Sequence, residues 1–291
     1  MKVIFFGLGS IGRRHLRLVD ELYDFDLYAF RTLTQPLGSF GNPTIKHSEV
    51  FGWDTVGKIK PDVALITNPT HLHIKTAIKC LELGINKIFL EKPVDCKTDG
   101  LERLLDLVNT TNATVYVAYP LRHIEEFDRV KAWLESDSIF LSCKSDLATW
   151  RKYNTYSAYA ELGGGAILEL SHEIDLAEYL LGPIVEIRGK CGKTKRCNTD
   201  AEEFCAIVCQ HENDKWSNIV LDISWRDKPE RYIIYNDGRA RFDYQPDDDM
   251  YRNQLRYFFN NLDNPKLMNN IFDASFLFRK IIEFRKREGM N

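Results

Sequence analysis

The chain opens with Val3-Ile4-Phe5-Phe6-Gly7-Leu8-Gly9-Ser10-Ile11-Gly12-Arg13-Arg14: a short apolar run, a glycine-rich turn, and the start of an amphipathic stretch. Few features constrain a fold as tightly. Gly7 permits a sharp turn out of a strand, and Gly9 lets a ligand approach the backbone. Gly12 removes the side chain where the following helix must touch the strand. The first N–H groups of that helix have no intrahelical partner and face outward as an anion site. A glycine turn alone is common, but between a buried strand and a helix it specifies a dinucleotide pyrophosphate. Gly7, Leu8, Gly9, Ser10, Ile11 and Gly12 are therefore the candidate cofactor turn.

The same rhythm continues to about residue 120. Apolar runs at 27–30, 63–66, 87–90 and 115–118 are separated by helical stretches at 71–83 and 98–109. Continuous apolar runs between helices mark a parallel sheet covered on both faces. After residue 120 the pattern changes. A helix is expected over 124–135, a strand over 140–148, and a helix over 167–181. Strands in series follow at 184–190, 202–210, 216–225, 231–236 and 239–243, with the turn Asn236-Asp237-Gly238 between the last two. Helices over 251–261 and 274–287 close the chain, with Asp247 to Asp249 as the capping region of the first. The expected fold class is α/β. It comprises an N-terminal Rossmann doubly wound parallel sheet in residues 1–120 and a C-terminal α+β domain with a largely antiparallel open sheet in 121–291.

Composition excludes several function classes. With 291 residues, 44% hydrophobic, the chain has material for two ordinary cores, and a net charge of −3 offers no attraction to nucleic acid. No apolar run approaches membrane-spanning length and no signal-type leader precedes the first strand, so a cytoplasmic protein with no membrane partner is expected. Seven cysteines (80, 96, 143, 191, 197, 205 and 209) show no CxxC spacing. Cys205, Ile207 and Cys209 alternate as on one strand face and are expected to be buried, inert thiols in a reducing compartment.

Cofactor choice is expected about 20 residues beyond the glycine turn, where a carboxylate would hold the ribose hydroxyls of NAD. The second strand instead ends Phe30-Arg31-Thr32. Arg31 can pair with a 2′-phosphate through its planar fork, which favours NADP within an NAD(P) reading. Stacking of Arg31 on adenine would leave either cofactor open.

The segment Ala64-Leu65-Ile66-Thr67-Asn68-Pro69-Thr70-His71-Leu72-His73 leads through a helix to Phe89-Leu90-Glu91-Lys92-Pro93. Further on, Gly163-Gly164-Gly165 precedes Glu169, His172 and Asp175. With the opening turn, this order and spacing resembles the Gfo/Idh/MocA family, which includes glucose–fructose oxidoreductase and inositol 2-dehydrogenase. The resemblance implies an NAD(P)-dependent oxidoreductase acting on CH–OH groups of a sugar, polyol or sugar-nucleotide. It assigns Lys92 beside the nicotinamide as a catalytic or orienting residue, and Thr67, Asn68, Pro69, His73 and Glu91 along the cofactor. It makes His172 and Asp175 the acid–base pair. A lysine near a reacting hydroxyl stabilises alkoxide charge, and the histidine's ordinary pKa suits proton exchange near neutrality. His71 and His73 have the look of metal ligands, but no third ligand accompanies them, and no metal is expected.

Two departures from the family pattern bear on the site. The usual D-x-x-x-H becomes Glu169-Leu170-Ser171-His172, as in a sub-group with S-H-E-I-D here, so Glu169 stands as a substrate contact. Tyr119-Pro120-Leu121-Arg122 replaces an asparagine-containing segment and leaves Arg122 as a substrate contact. Trp150, Arg151, Tyr156 and Tyr159 suit a sugar pocket or, equally, core or lid packing. On periodicity alone Glu169, His172 and Asp175 also fit a solvated polar face opposite Leu170, Ile174, Ala177 and Leu181. The rival readings are a non-catalytic dinucleotide sensor and a reductase of a non-sugar compound. A homodimer or homotetramer through the second sheet is expected, as in relatives.

Overall fold

The computed structural model describes residues 1–32, 45–146 and 155–290, and the chain divides into two compact units. The first comprises Met1–Ala118 with Tyr251–Ala274, the second Tyr119–Met250 with Ser275–Asn291.

In the first unit, β1 (Lys2–Phe6), β2 (Asp26–Arg31), β3 (Ser48–Phe51), β4 (Val63–Ile66), β5 (Lys87–Glu91) and β6 (Thr114–Ala118) form one sheet in the order β3-β2-β1-β4-β5-β6. Every pairing in it is parallel. The helices α1 (Ser10–Leu22), α2 (Trp53–Ile59), α3 (His73–Glu82) and α4 (Leu101–Thr111) connect them. Val3, Ile4, Phe5 and all of Val63 to Ile66 have no exposed surface, because helices cover both faces of the central strands. Helix α1 buries Gly12, His15, Leu16 and Val19, a stripe at helical spacing. Leu255, Phe258 and Leu267 join Val3, Phe5, Leu16, Phe89 and Tyr116 in one apolar cluster, so the segment 251–274 completes this core. The strand order reverses between β1 and β4, which opens a crevice at their carboxyl ends.

The second unit contains α5 (Glu126–Ala132), β7 (Ser138–Lys144), a turn of helix at Ala166–Glu169, and α6 (Ser171–Leu181). The strands β8 (Ile184–Gly192), β9 (Phe204–His211), β10 (Trp216–Asp222), β11 (Glu230–Tyr235) and β12 (Ala240–Asp243) follow. After them come α7 (Asp248–Asn260) and α8 (Ile271–Arg287), whose residues divide between the two units as given above. The sheet order is β12-β11-β7-β10-β9-β8, antiparallel except where β7 meets β10. One face is buried, while Phe204, Val208 and Trp216 on the other are between 36% and 40% exposed. The α/β class is as the sequence indicates, and Asn236, Asp237 and Gly238 all adopt positive φ in the turn between β11 and β12.

The cysteines require a correction. Cys205, Ile207 and Cys209 do share the buried face of β9, but Cys205 is not a free thiol. The antiparallel register sets Cys191 of β8 directly opposite it, 4.0 Å apart at Cα, and the two form a disulfide. Sequence spacing could not reveal a pair made by strand register. Unfolded, unreduced protein is expected to titrate five thiols (80, 96, 143, 197 and 209). A count of seven in that assay would remove the bond.

Candidate functional site

In the first unit, the residues singled out from sequence gather at the carboxyl ends of the strands. Gly7 follows β1, Arg31 ends β2, Thr67 follows β4 and Glu91 ends β5. Gly7 has φ +101°, and a Cβ there would lie 2.5 Å from Asn68 Cα. A Cβ on Gly12 would lie 2.1 Å from the Gly7 carbonyl oxygen. A Cβ on Gly9 would meet no atom within 4 Å. The three glycines thus separate into a turn, an open approach and a helix–strand contact. Gly9 caps α1 without a side-chain hydrogen bond, and the thirteen-residue helix presents its first N–H groups at the same place. These features fit a dinucleotide diphosphate.

The loop after β4 is tied to this turn. Thr67 Oγ1 donates to the Gly7 carbonyl at 2.6 Å, and Asn68 Nδ2 donates to Thr76 Oγ1 at 2.8 Å. His73, 2% exposed, sets Nδ1 2.9 Å from the Pro93 carbonyl oxygen and Nε2 2.9 Å from that of Asn68. It therefore spans the loops after β4 and β5. Burial holds its pKa below the ordinary histidine range, against the pull of the two carbonyls, Asp95 and Glu91. Asp95 accepts from Ile74 N at 3.1 Å and so satisfies one of the free N–H groups in the first turn of α3. Glu91 receives His15 Nε2 at 2.6 Å, and the Lys92–Pro93 peptide that follows is cis. His15 escaped the sequence reading because its partner lies 76 residues away; its place three residues after Gly12 on the buried stripe was the available signal.

Arg31 sits beside a carboxylate after all. Its Nη1 lies 2.9 Å from Oε1 of Glu49, carried in by edge strand β3. A search confined to the end of β2 could not find it.

In the second unit, the glycine triad is a packing device. A Cβ on Gly164 would lie 2.3 Å from the Ser157 carbonyl oxygen, and one on Gly165 (φ +109°) would lie 2.3 Å from Glu202 Oε1. The first two turns of the helix that follows, residues 171–177, are buried on every side, with Glu173 at 0%, Asp175 at 2% and His172 at 9% exposure, so the solvated-face reading fails for His172 and Asp175. Arg122 and Asp175, chosen separately from sequence, meet in a bidentate pair at 2.8 and 2.7 Å. Burial raises the Asp175 pKa, and the Arg122 guanidinium opposes the rise. Next to Arg122, burial pushes His123 down to about 4. Arg231 of β11 reaches His172 Nε2 and Glu173 Oε1, each at 3.2 Å, and Tyr244 donates its hydroxyl to Glu173. Sequence reasoning missed Arg231, Glu173 and Tyr244, because only the sheet brings β11 against α6. Glu169 ends the preceding helical turn, half-buried, while Tyr156 and Tyr159 are 38% and 39% exposed. Trp150 and Arg151 lie outside the described residues.

Two family models match this chain. One, described as an oxidoreductase family with an NAD-binding Rossmann fold, covers residues 1–119; the other, the GFO/IDH/MocA C-terminal domain, covers 127–240. The chain belongs to the Gfo/Idh/MocA oxidoreductase family. Three solved structures share the Gfo/Idh/MocA fold across nearly the whole chain. GenD2 from gentamicin A biosynthesis, in complex with NAD, has TM-score 0.83 at 13% identity, covering 99% of this chain and 93% of that one. A myo-inositol dehydrogenase from Corynebacterium glutamicum has TM-score 0.78 at 16% identity, covering 98% and 96%. The WlbA (WbpB) dehydrogenase from Thermus thermophilus, in complex with NAD and UDP-GlcNAcA, has TM-score 0.77 at 18% identity, covering 98% and 94%. Among curated proteins, Oxidoreductase P35 of Formosa agariphila is 24% identical over 147 residues, 46% of each chain. The chain thus spans less than half the length of that curated relative. Within the family frame, the glycine turn lies in the NAD-binding segment and His172 in the C-terminal domain segment. Among the described residues no helix is long and apolar enough to cross a membrane.

Proposed function

We propose that this protein is an NAD(P)-dependent dehydrogenase or reductase acting on a hydroxyl or carbonyl of a sugar, polyol or sugar-nucleotide. The observation that carries the reading is the convergence of the glycine turn, the Thr67-Asn68 loop and the Glu91-Lys92 loop at the carboxyl ends of β1, β4 and β5, beside the crevice where the strand order reverses. When bound, the dinucleotide supplies a hydride acceptor or donor at its nicotinamide ring. The amides that begin α1 hold its diphosphate. Lys92 stabilises negative charge developing on the substrate oxygen, and His172 takes or returns the hydroxyl proton. Asp175, bound through both oxygens to Arg122, orients that guanidinium toward substrate rather than exchanging protons itself. The names of the inositol dehydrogenase and of the UDP-GlcNAcA complex support polyol and sugar-nucleotide substrates. The open face of the second sheet, with Phe204, Val208 and Trp216, is where a second copy would pair in a homodimer or homotetramer.

A scan of inositols, sugars and sugar-nucleotides by nicotinamide absorbance tests the activity. Lys92→Ala is expected to lower turnover by about a hundredfold or more with cofactor binding retained. Turnover unchanged in that variant, or cofactor bound with no turnover of any substrate class, would defeat the reading.

Cofactor choice rests on Arg31 and Glu49 together. The guanidinium favours a 2′-phosphate, while the neighbouring carboxylate repels one, so the NADP preference of the wild type is held to less than about tenfold. Glu49→Gln is expected to raise NADPH affinity relative to NADH by about tenfold in a fluorescence titration. An unchanged ratio would disconnect this pair from the cofactor.

A further inference from the structure

The cluster around His172 holds more information than the identity of a proton acceptor. Arg231 Nη1 lies 3.2 Å from His172 Nε2 and 3.2 Å from Glu173 Oε1. A guanidinium has donors only and keeps its charge throughout the accessible pH range. A hydrogen bond between Nη1 and Nε2 therefore requires a lone pair on Nε2, which leaves the ring proton on Nδ1. The competing arrangement, with Nε2 protonated and donating to Glu173 Oε1, faces a separation of 3.6 Å, too long for a hydrogen bond. It would also set an N–H against the guanidinium.

Arg231 is itself fixed from several directions. Glu173, with no exposed surface, takes one of its N–H groups, and the Tyr244 hydroxyl donates to the same carboxylate. The Tyr244 backbone N–H in turn donates to the Arg231 carbonyl at 3.0 Å, which closes a ring of contacts. Among the described residues, the charged and titratable groups around His172 include Glu173 on its own helix, Arg231 on β11, and, against Glu173, Tyr244 beyond β12 and Cys143 on β7. The Arg122–Asp175 pair occupies the next turn of α6.

We infer that Arg231, anchored by Glu173, is a positioning residue that holds His172 as a neutral imidazole with its proton on Nδ1 and its lone pair on Nε2. The inference deepens the proposed function, since it rests on His172 as the group that exchanges the substrate proton. Nδ1 is buried and in this tautomer carries the proton, so the lone pair that accepts is that of Nε2. In the oxidising direction the substrate hydroxyl takes the place of the Arg231 N–H at the single lone pair of Nε2. Its O–H bond then breaks and the proton bonds to Nε2, while the nicotinamide, when bound, would supply the acceptor for the hydride from the same carbon. Arg231 disfavours the cation in the resting enzyme, and Glu173, 3.6 Å from Nε2, stabilises it once formed. The pair thereby keeps the base ready at neutral pH without leaving its charged form unsupported.

Nitrogen NMR of 15N-histidine-labelled protein tests this directly, with the His172 signals assigned by loss in His172→Gln. The expected result is a protonated Nδ1 and an unprotonated Nε2. Removing the guanidinium in Arg231→Met should raise the titration midpoint of His172 by about one pH unit or more, and Arg231→Lys should bring it back. Glu173→Gln, which keeps an oxygen to receive Arg231, should move the midpoint down. The acidic limb of kcat/KM should follow the same shifts. A proton found on Nε2, or equal midpoints in wild type and Arg231→Met, overturns the inference. If Arg231→Met does not fold, an unmoved midpoint in Glu173→Gln overturns it. Turnover that survives His172→Gln, with the NMR result as expected, would remove His172 from the reaction and leave its pairing with Arg231 standing.

Discussion

Gly12→Ala is expected to abolish measurable dinucleotide binding and to destabilise the protein by roughly 3 kcal/mol, whereas Gly9→Ala should lose binding and keep its stability. At position 12 the added methyl would lie 2.1 Å from the Gly7 carbonyl oxygen and 2.7 Å from Thr67 Oγ1. The threonine can rotate, at the loss of its hydrogen bond to Gly7, but the carbonyl is backbone. Relief requires moving α1 away from the end of β1, which carries the anion-binding amides with it. At position 9 the methyl meets no protein atom within 4 Å, and the backbone has φ −68°, which alanine adopts freely. Its only cost to the fold is a poorer N-cap, about 1 kcal/mol at most. Thermal unfolding paired with NADH fluorescence titration separates the two. Tight NADH binding by Gly9→Ala would refute the diphosphate site, and wild-type stability of Gly12→Ala would refute the close helix–strand contact.

Arg122→Met is expected to cost about 3–5 kcal/mol at neutral pH, because it leaves Asp175 buried without its bidentate partner. The deficit should depend on pH in a definite sense. Burial raises the folded-state pKa of Asp175 above its unfolded value, so the folded protein holds that proton more tightly. The stability linked to it is fully present below the unfolded value and is lost as pH rises through the folded one. Without Arg122 the folded pKa climbs further, so the variant's deficit is greatest at neutral pH and shrinks as pH falls. Urea unfolding at about pH 7.5 and about pH 5 measures this difference. A deficit under about 1 kcal/mol, or one that is equal at the two pH values, would show that the pair carries no buried charge.

Much of this was written along the chain, because it depends on near neighbours. The continuous apolar runs of β1 and β4, the glycine turn at 7–12 and the Asn236-Asp237-Gly238 turn each encode structure within a dozen residues. Strand β3 and helix α2 left almost no trace. An edge strand and a short helix bury little beyond Val50 and Val56, so neither produces a hydrophobic period.

Sequence alone indicated the fold class, the glycine turn and the family, since local periodicity, a contiguous turn and the order of a few short motifs suffice for those. Only the tertiary structure decided that 251–274 completes the first core, that Cys191 faces Cys205, and that Glu49 meets Arg31. It also decided that the first two turns of α6 are buried on all sides and that Arg231 reaches His172. Each of these depends on register and packing between segments far apart in the chain. No local pattern records which distant partner a buried charge or thiol will find, because that choice is made by the sheet that brings them together.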